Sequence, residues 1–281
     1  MYKKILFISL FLCLIYSFSL SVLADNQQDA LRYKEAGIKF SKQGNYDLAI
    51  QNFKKAISLE PSFFAAYYDL GLAYTSKNQY DLAIESYQKA LKLNPASKET
   101  LNNIGEAYCE KGNYDKAIEY FKKALAINPD YPEACNNLGI AYSNSGNLAL
   151  AIENFKNAID LNPGYPEAYN NLAALYTEKG DTDLAIRYYT HSLSCKKSSD
   201  TYYNLGLAYY NKGAYYLAIE NFNMAISMNP DQPDYYYYRG KTYVTKGDYM
   251  LAISSLDKAL TLDPGHKEAR EELQKLKNEG L

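Results

Sequence analysis

The chain has 281 residues, a formal net charge of −2, 47% hydrophobic residues, 31 tyrosines and no tryptophan. Without a basic excess or a basic stripe it lacks the electrostatic footprint of a nucleic-acid binder, although its length would allow a large core. Two histidines, His191 and His266, and four cysteines are scattered through the sequence and match no metal-ligand or catalytic spacing.

Met1 to Ala24 differs in composition from the rest of the chain. Lys3 and Lys4 precede an uncharged run from Ile5 to Ile15, and Val22, Leu23 and Ala24 form a small-x-small-like ending before Asp25, which together read as a secretory signal peptide cleaved after Ala24. The alternative is an uncleaved membrane anchor, since the stretch Ile5 to Ala24 is uncharged and long enough to span a bilayer. Ser17, Ser19 and Ser21 dilute its second half and favour cleavage, and Leu12 before Cys13 is too bulky for a lipidation site. Removal takes away Lys3 and Lys4, so the charge falls by two, from −2 to −4. Cys109, Cys135 and Cys195 then remain, an odd number in an exported chain. Cys135 and Cys195 occupy repeat positions that elsewhere hold Tyr, Leu, Ile or Met, and are expected to be buried small hydrophobes.

Asp25 to Asp29 reads as a polar lead-in, with Asp29 placed to cap a helix starting at Ala30. From there one unit recurs, shown most clearly by Lys98 to Tyr131, KETLNNIGEAYCEKGNYDKAIEYFKKALAINPDY. Leu101, Ile104, Gly105 and Tyr108 fall at i, i+3, i+4 and i+7, the stripe of a first amphipathic helix in which Gly105 leaves room for a neighbour. Gly112 and Asn113 interrupt it. Ala117, Ile118, Phe121, Ala124 and Leu125 resume the spacing in a second helix, which Asn128 and Pro129 close. Aligned on the closing proline, the copies are 30–63, 64–97, 98–131, 132–165, 166–198, 199–232 and 233–266.

The fifteenth position of each copy is Gly44, Asn78, Gly112, Gly146, Gly180, Gly213 or Gly247, the residue types that end a helix in the left-handed conformation. Asn45, Asn113, Asn147, Asp181 and Asp248 come next and can cap the second helix through a side-chain oxygen. Pro132, Pro166 and Pro233 stand near the start of first helices, with Glu133, Glu167 and Asp234 beside them at the positive end of the dipole. The run SLSCKKSSD between the fifth and sixth copies lacks the proline and one residue, and Ser192 replaces the usual Ala, which predicts a local change in stacking. The last copy carries Arg239 and Leu256 at positions that are otherwise aliphatic and aromatic. Segment 267–281 is charged, with Ala269, Leu273 and Leu276 at i, i+4 and i+7, and reads as a helix that shields the end of the stack.

In the second copy Tyr67, Leu70, Gly71, Tyr74, Ala83, Tyr87, Ala90 and Pro95, and in the sixth Tyr202, Leu205, Gly206, Tyr209, Ala218, Phe222, Ala225 and Pro230, reproduce the pattern of the tetratricopeptide repeat, which residues 30–266 closely resemble. The resemblance implies an all-α fold, a right-handed α-solenoid of seven helix-turn-helix repeats with a C-terminal capping helix. It also implies a concave inner face lined by the second, fifth, sixth, ninth, twelfth and thirteenth positions of the first helices. Since repeats and cap take up residues 30–281, no room is left for a catalytic domain, and no Walker loop, HExxH, nucleophile elbow or glycine-rich dinucleotide turn is present. The expectation is a non-enzymatic chain without cofactor or metal, whose partners are other proteins, not nucleic acid, and which meets a membrane only through an uncleaved N-terminal segment.

Three groups on the inner face are candidates for contact. Asn103, Asn137, Asn171 and Asn204 hold the sixth position in four successive copies and Asn102, Asn136 and Asn170 the fifth. An amide donates and accepts, so such a row can pair with successive peptide groups of an extended ligand; it resembles the asparagine ladder of the repeat region of protein O-linked N-acetylglucosamine transferases. Tyr203, Tyr210, Tyr237 and Tyr238 bring aromatic rings to the same face, suited to protein or sugar contact. Glu99, Glu133, Glu167, Asp200 and Asp234 form an acidic row at the second position, explained by the helix dipole. The carboxylate clamp of chaperone-binding relatives is missing, because Lys34 is followed by Ile38 where an Asn is needed. The expected function is a scaffold in the cell envelope that binds an extended segment of a partner. The alternatives are a substrate-recruiting subunit of a separate envelope enzyme such as a glycosyltransferase, and carbohydrate binding through the tyrosine-rich C-terminal repeats.

Overall fold

The computed structural model describes residues 25–280; the expected signal segment, Met1 to Ala24, lies outside them. All regular secondary structure among the described residues is helical. The chain divides into two units, whose described parts are 25–130 and 131–280.

The first unit holds α1 (25–42), α2 (Tyr46–Leu59), α3 (Phe64–Thr75), α4 (Tyr80–Leu93), α5 (Lys98–Glu110) and α6 (Tyr114–Ile127). Within it α3 pairs with α4 and α5 with α6, while α2 packs on α3 and α4 on α5. The second unit holds α7 (Pro132–Asn144), α8 (Leu148–Leu161), α9 (Pro166–Glu178), α10 (Thr182–Cys195), α11 (Ser199–Asn211), α12 (Tyr215–Met228), α13 (Pro233–Lys246), α14 (Tyr249–Leu262) and α15 (Lys267–Asn278). Its hairpins are α7/α8, α9/α10, α11/α12 and α13/α14, each stacked on the next, and α15 lies against α14 and α13.

Each hairpin closes on a small residue facing a large one. A Cβ built on Gly105 of α5 would stand 2.5 Å from the ring of Phe121 on α6, which is fully buried. The ring therefore occupies the space that a side chain on the first helix would need, and this contact sets how closely the two helices approach. The α9/α10 hairpin carries Ala173 and Tyr189 at the corresponding positions, both buried. At the end of the stack Ala269, Leu273 and Leu276 of α15 pack against Tyr236, Tyr237 and Leu256, as the spacing of those three residues predicts.

The turns agree closely with the sequence. All seven fifteenth-position residues have positive φ, including Asn78 at 57°, so the helices end where a left-handed residue stops them. Pro132, Pro166 and Pro233 are the first residues of α7, α9 and α13, where a missing N–H costs nothing.

The second-helix caps agree less completely. Of the five expected side-chain caps only two form: Asn113 accepts from Lys116 N–H and Asp181 from Leu184 N–H. Asn147 instead turns its amide to Ser145 Oγ at 3.2 Å, and the Asp248 carboxylate is drawn to Lys246 Nζ at 2.8 Å. Asp29 is no cap either, because residues 25–42 are already helical, and it pairs with Arg32 one turn on. Cys135 is buried as expected, but Cys195 is exposed. Cys195 is the last residue of α10, and the equivalent Leu93, Ile127, Leu161 and Met228 are exposed as well, so this end of the second helix points away from the core.

Lysines at the fourteenth position reach back to an aspartate of the preceding hairpin: Lys77 to Asp47, Lys111 to Asp81 and Lys212 to Asp183. These pairs are exposed and each contributes at most about 1 kcal/mol. They nonetheless show that successive hairpins are joined at their turns as well as through their cores. Ser192 is accommodated in the core by a hydrogen bond of 3.0 Å from its Oγ to Pro166 O.

Candidate protein-interaction site

The first helix of each hairpin presents its sixth position at the surface and its fifth closer to the neighbouring hairpin. Asn102 and Asn136, both fifth-position residues, are buried and not exposed to a ligand. Asn102 donates to Glu106 Oε1 at 2.8 Å, and Asn136 Oδ1 accepts from Asn171 Nδ2 at 2.9 Å. Asn170 is half-buried and donates to Thr201 Oγ1 at 2.8 Å, while its Oδ1 is buried with no hydrogen-bond partner among the described residues.

The sixth-position residues Asn103, Asn137, Asn171 and Asn204 are all half-buried. Asn103 donates to the hydroxyl of Tyr68, the fifth-position residue of the preceding hairpin, at 3.1 Å. Asn171 makes the corresponding reach to Asn136. In both, Nδ2 is used inside the protein. Among the described residues neither Oδ1 meets a protein donor, and neither is buried. These amides are therefore held with an acceptor turned outwards, a narrower role than the two-way pairing an isolated asparagine can offer.

The tyrosines gather at the end of the second unit. Tyr237 is buried; Tyr203, Tyr210 and Tyr238 are half-buried. Tyr203 of α11 lies 5.0 Å from Tyr235 and 5.7 Å from Tyr238, and Tyr238 meets Tyr237 edge-on at 4.9 Å. Burial, then the neighbouring Tyr238 and Asp234, push the Tyr203 hydroxyl well above its ordinary range, so it stays a neutral donor. The acidic residues beside this cluster have partners of their own. Asp200 accepts from the Tyr235 hydroxyl at 2.5 Å. Asp234 lies 3.2 Å from His266 Nε2, whose ring packs 4.9 Å from Tyr237. His266 is buried and its Nδ1 accepts from Ala269 N–H, which makes it the N-cap of α15, with Glu268 Oε2 3.3 Å from the same nitrogen. His191, in contrast, is exposed and stacks on Tyr169.

Lys241 joins this face from a position that the sequence pattern alone does not single out. At the ninth position of the last copy, it has its ammonium 5.9 Å from the ring centre of Tyr210 and 5.8 Å from those of Tyr237 and Tyr238. A lysine standing where the other copies carry Ile, Leu, Ala or Glu was the available signal. Among the described residues no group of His, Cys, Asp and Glu side chains is arranged to hold a metal ion, and no helix is long and apolar enough to cross a membrane.

Stacked helical hairpins with core-filling small/aromatic pairs and a polar, aromatic outer row on their first helices define a helical-repeat module. Family models agree: one described as TPR repeat matches residues 39–76 and 105–146, and two described as tetratricopeptide repeat match 64–97, 132–165 and 199–232, and 86–119, 154–187 and 221–254. The chain belongs to the tetratricopeptide repeat family, whose members act as protein-interaction scaffolds and whose fold is generally a non-enzymatic module.

Among solved structures it is similar to MamA, with 30% identity and a TM-score of 0.52 over 57% of this chain and 94% of that one. PilW, a type IV pilus biogenesis factor, is 24% identical with a TM-score of 0.64 over 72% of this chain and 94% of that one. A chain of the APC/C hetero-tetramer Cut9–Hcn1 is 20% identical with a TM-score of 0.65 over 83% of this chain; this chain spans about half, 48%, of that one. At these identities the likeness to PilW and Cut9–Hcn1 is one of fold. A search of the curated proteins found no match.

Proposed function

We propose that this protein is an exported scaffold of seven repeats that holds an extended segment of a partner protein along the first helices of its hairpins. The observation that carries the reading is the set of half-buried sixth-position amides. In the second unit Asn137, Asn171 and Asn204 recur at repeat spacing, and Asn171 is held by Asn136 with its oxygen free to accept a peptide N–H. Such contacts read the backbone of a ligand, so specificity falls to the side chains around them, Tyr203, Tyr210 and Tyr238 foremost. Asn103 repeats the arrangement in the first unit. Export rests on the composition of Met1 to Ala24.

The test is a linear-peptide display library panned against the full chain. Asn204→Ala is the discriminating variant, because the Asn204 side chain makes no hydrogen bond among the described residues and its loss leaves the stack intact. Selected peptides should bind it roughly tenfold more weakly, about 1.4 kcal/mol, with unchanged far-UV circular dichroism and melting. Peptides indifferent to both Asn204→Ala and Asn171→Ala would overturn the binding face. Mass spectrometry of the native protein should show a chain starting at Asp25, and a full-length membrane-retained form would overturn export.

A further inference from the structure

Within the second unit the row of amides ends at a different kind of group. One repeat beyond Asn204 the sixth position is Tyr238, and one helical turn further along α13 stands Lys241. Its Nζ lies 5.8 to 5.9 Å from the ring centres of Tyr210, Tyr237 and Tyr238, too far for any one ring to occupy the ammonium fully. The lysine is half-buried, and among the described residues no carboxylate comes within ion-pair distance of it. Lys34, the fifth-position lysine on the first unit's face, differs in having Asp69 at 3.9 Å.

Of the acids around these tyrosines, Asp200 is turned to the Tyr235 hydroxyl and Asp234 to His266, and Glu272, whose charge also reaches Tyr237, makes no ion pair with Lys241. Its amine also titrates above the ordinary lysine value: burial works against the charge, but the oxygens of Tyr237, Tyr210 and Tyr238 outweigh it. The cation is thus present, partly shielded from water by three rings, and without an anion. A charge in that setting gains more from an opposite charge than one in open solvent does.

Resting on the proposed peptide-binding reading, we propose that the cluster of Lys241, Tyr210, Tyr237 and Tyr238 is the specificity site of the second unit and takes the carboxylate of an aspartate or glutamate in the bound segment. The rings of Tyr210, Tyr237 and Tyr238 around the ammonium offer an apolar wall to the residue next to the acid. The amides at Asn171 and Asn204 accept from the peptide backbone, so the single cation fixes the register of an otherwise sequence-blind contact. The partner is therefore an extended segment with one acidic residue beside an apolar or aromatic one, not a polyacidic tail, since Asp200 and Asp234 repel a second negative charge.

Peptides selected on the full chain should share an Asp or Glu at one fixed position, and calorimetric titration of a synthetic selected peptide should show a loss of about tenfold or more in Lys241→Met. The same loss should follow when the acid of the peptide is changed to its amide, with no further loss when both changes are combined, and Lys241→Arg should keep most of the affinity. Unaltered helicity and melting of Lys241→Met separate lost recognition from lost folding. Peptides that depend on Asn204 but are indifferent to Lys241→Met, or that carry no acid, overturn the carboxylate site and leave the binding face standing. Peptides indifferent to Asn204, Asn171 and Lys241 alike overturn both.

Discussion

Replacing Gly105 with alanine sets two effects of known sign against each other. Alanine is favoured over glycine inside a helix by about 1 kcal/mol. Against this, the new Cβ would lie 2.5, 2.7 and 2.9 Å from Cε1, Cδ1 and Cζ of Phe121. Phe121 is fully buried, so its ring has no open side to retreat into, and α5 and α6 must part. Overpacking of this kind costs roughly 1–3 kcal/mol, and three approaches under 3.0 Å put this one in the upper half of that range, so after the helix gain of about 1 kcal/mol the net expectation is a loss of about 1–2 kcal/mol. Phe121→Leu alone should cost about 1 kcal/mol as a smaller hydrophobic swap. In the double variant the methyl group has room, and the two changes should couple favourably by about 1–2 kcal/mol. The molecule contains two precedents: a Cβ built on Gly240 would stand 3.0 Å from Leu256, farther than the 2.5 Å at Gly105, and Ala173 stands in the hairpin built around Tyr189. Urea unfolding of the four proteins, followed by far-UV circular dichroism, reads the cycle from midpoints at constant slope. A neutral or stabilising Gly105→Ala, or a cost that Phe121→Leu fails to relieve, would refute the argument that this contact sets the helix spacing.

Asp69 is at the sixth position of its copy, where the next four copies carry Asn. Its Oδ2 is buried without a hydrogen-bond partner among the described residues, and burial raises its pKa against the pull of Lys34. The folded chain therefore binds this proton more tightly than the unfolded chain, so the group favours the folded state more as pH falls through the carboxylate range and less as pH rises out of it. Asp69→Asn should stabilise the protein at neutral pH by about 1 kcal/mol, with the gain shrinking on acidification; a gain independent of pH in urea titrations would contradict this. Of Cys109, Cys135 and Cys195, only Cys195 is exposed, and burial pushes the Cys109 thiol up to about 11 and the Cys135 thiol above its ordinary value. A thiol reagent at neutral pH should modify Cys195 rapidly in the native protein and the other two only on unfolding. Equal rates for all three would show that the burial of Cys109 and Cys135 is wrong.

The legible part of the site was its register. Counting along each copy picks out Asn103, Asn137, Asn171 and Asn204 as equivalent, and the structure places all four at half-burial. Counting cannot say that Asn102, one residue earlier, is buried, or that Asn103 spends its N–H on Tyr68 a repeat away. It treats the tyrosines as separate rings, whereas Tyr210 from α11 meets Tyr237 and Tyr238 from α13 around one ammonium.

What the sequence determined by itself is everything governed by local physics. Helical periodicity gave the buried stripes, a left-handed residue ended each first helix at its fifteenth position, and proline marked the first residue of α7, α9 and α13. Each of these depends on a few consecutive residues, so it can be read from the chain in one dimension. The tertiary structure decided which polar groups are used up and which are left over. Asn147 and Asp248 gave up their expected caps to nearer partners, Cys195 came to the surface, and Lys241 was left without a counter-charge. The lost caps turn on a choice between partners two or three residues away, which side-chain rotamers decide, whereas the surroundings of Lys241 bring together residues of successive hairpins, which stacking fixes and sequence spacing alone does not.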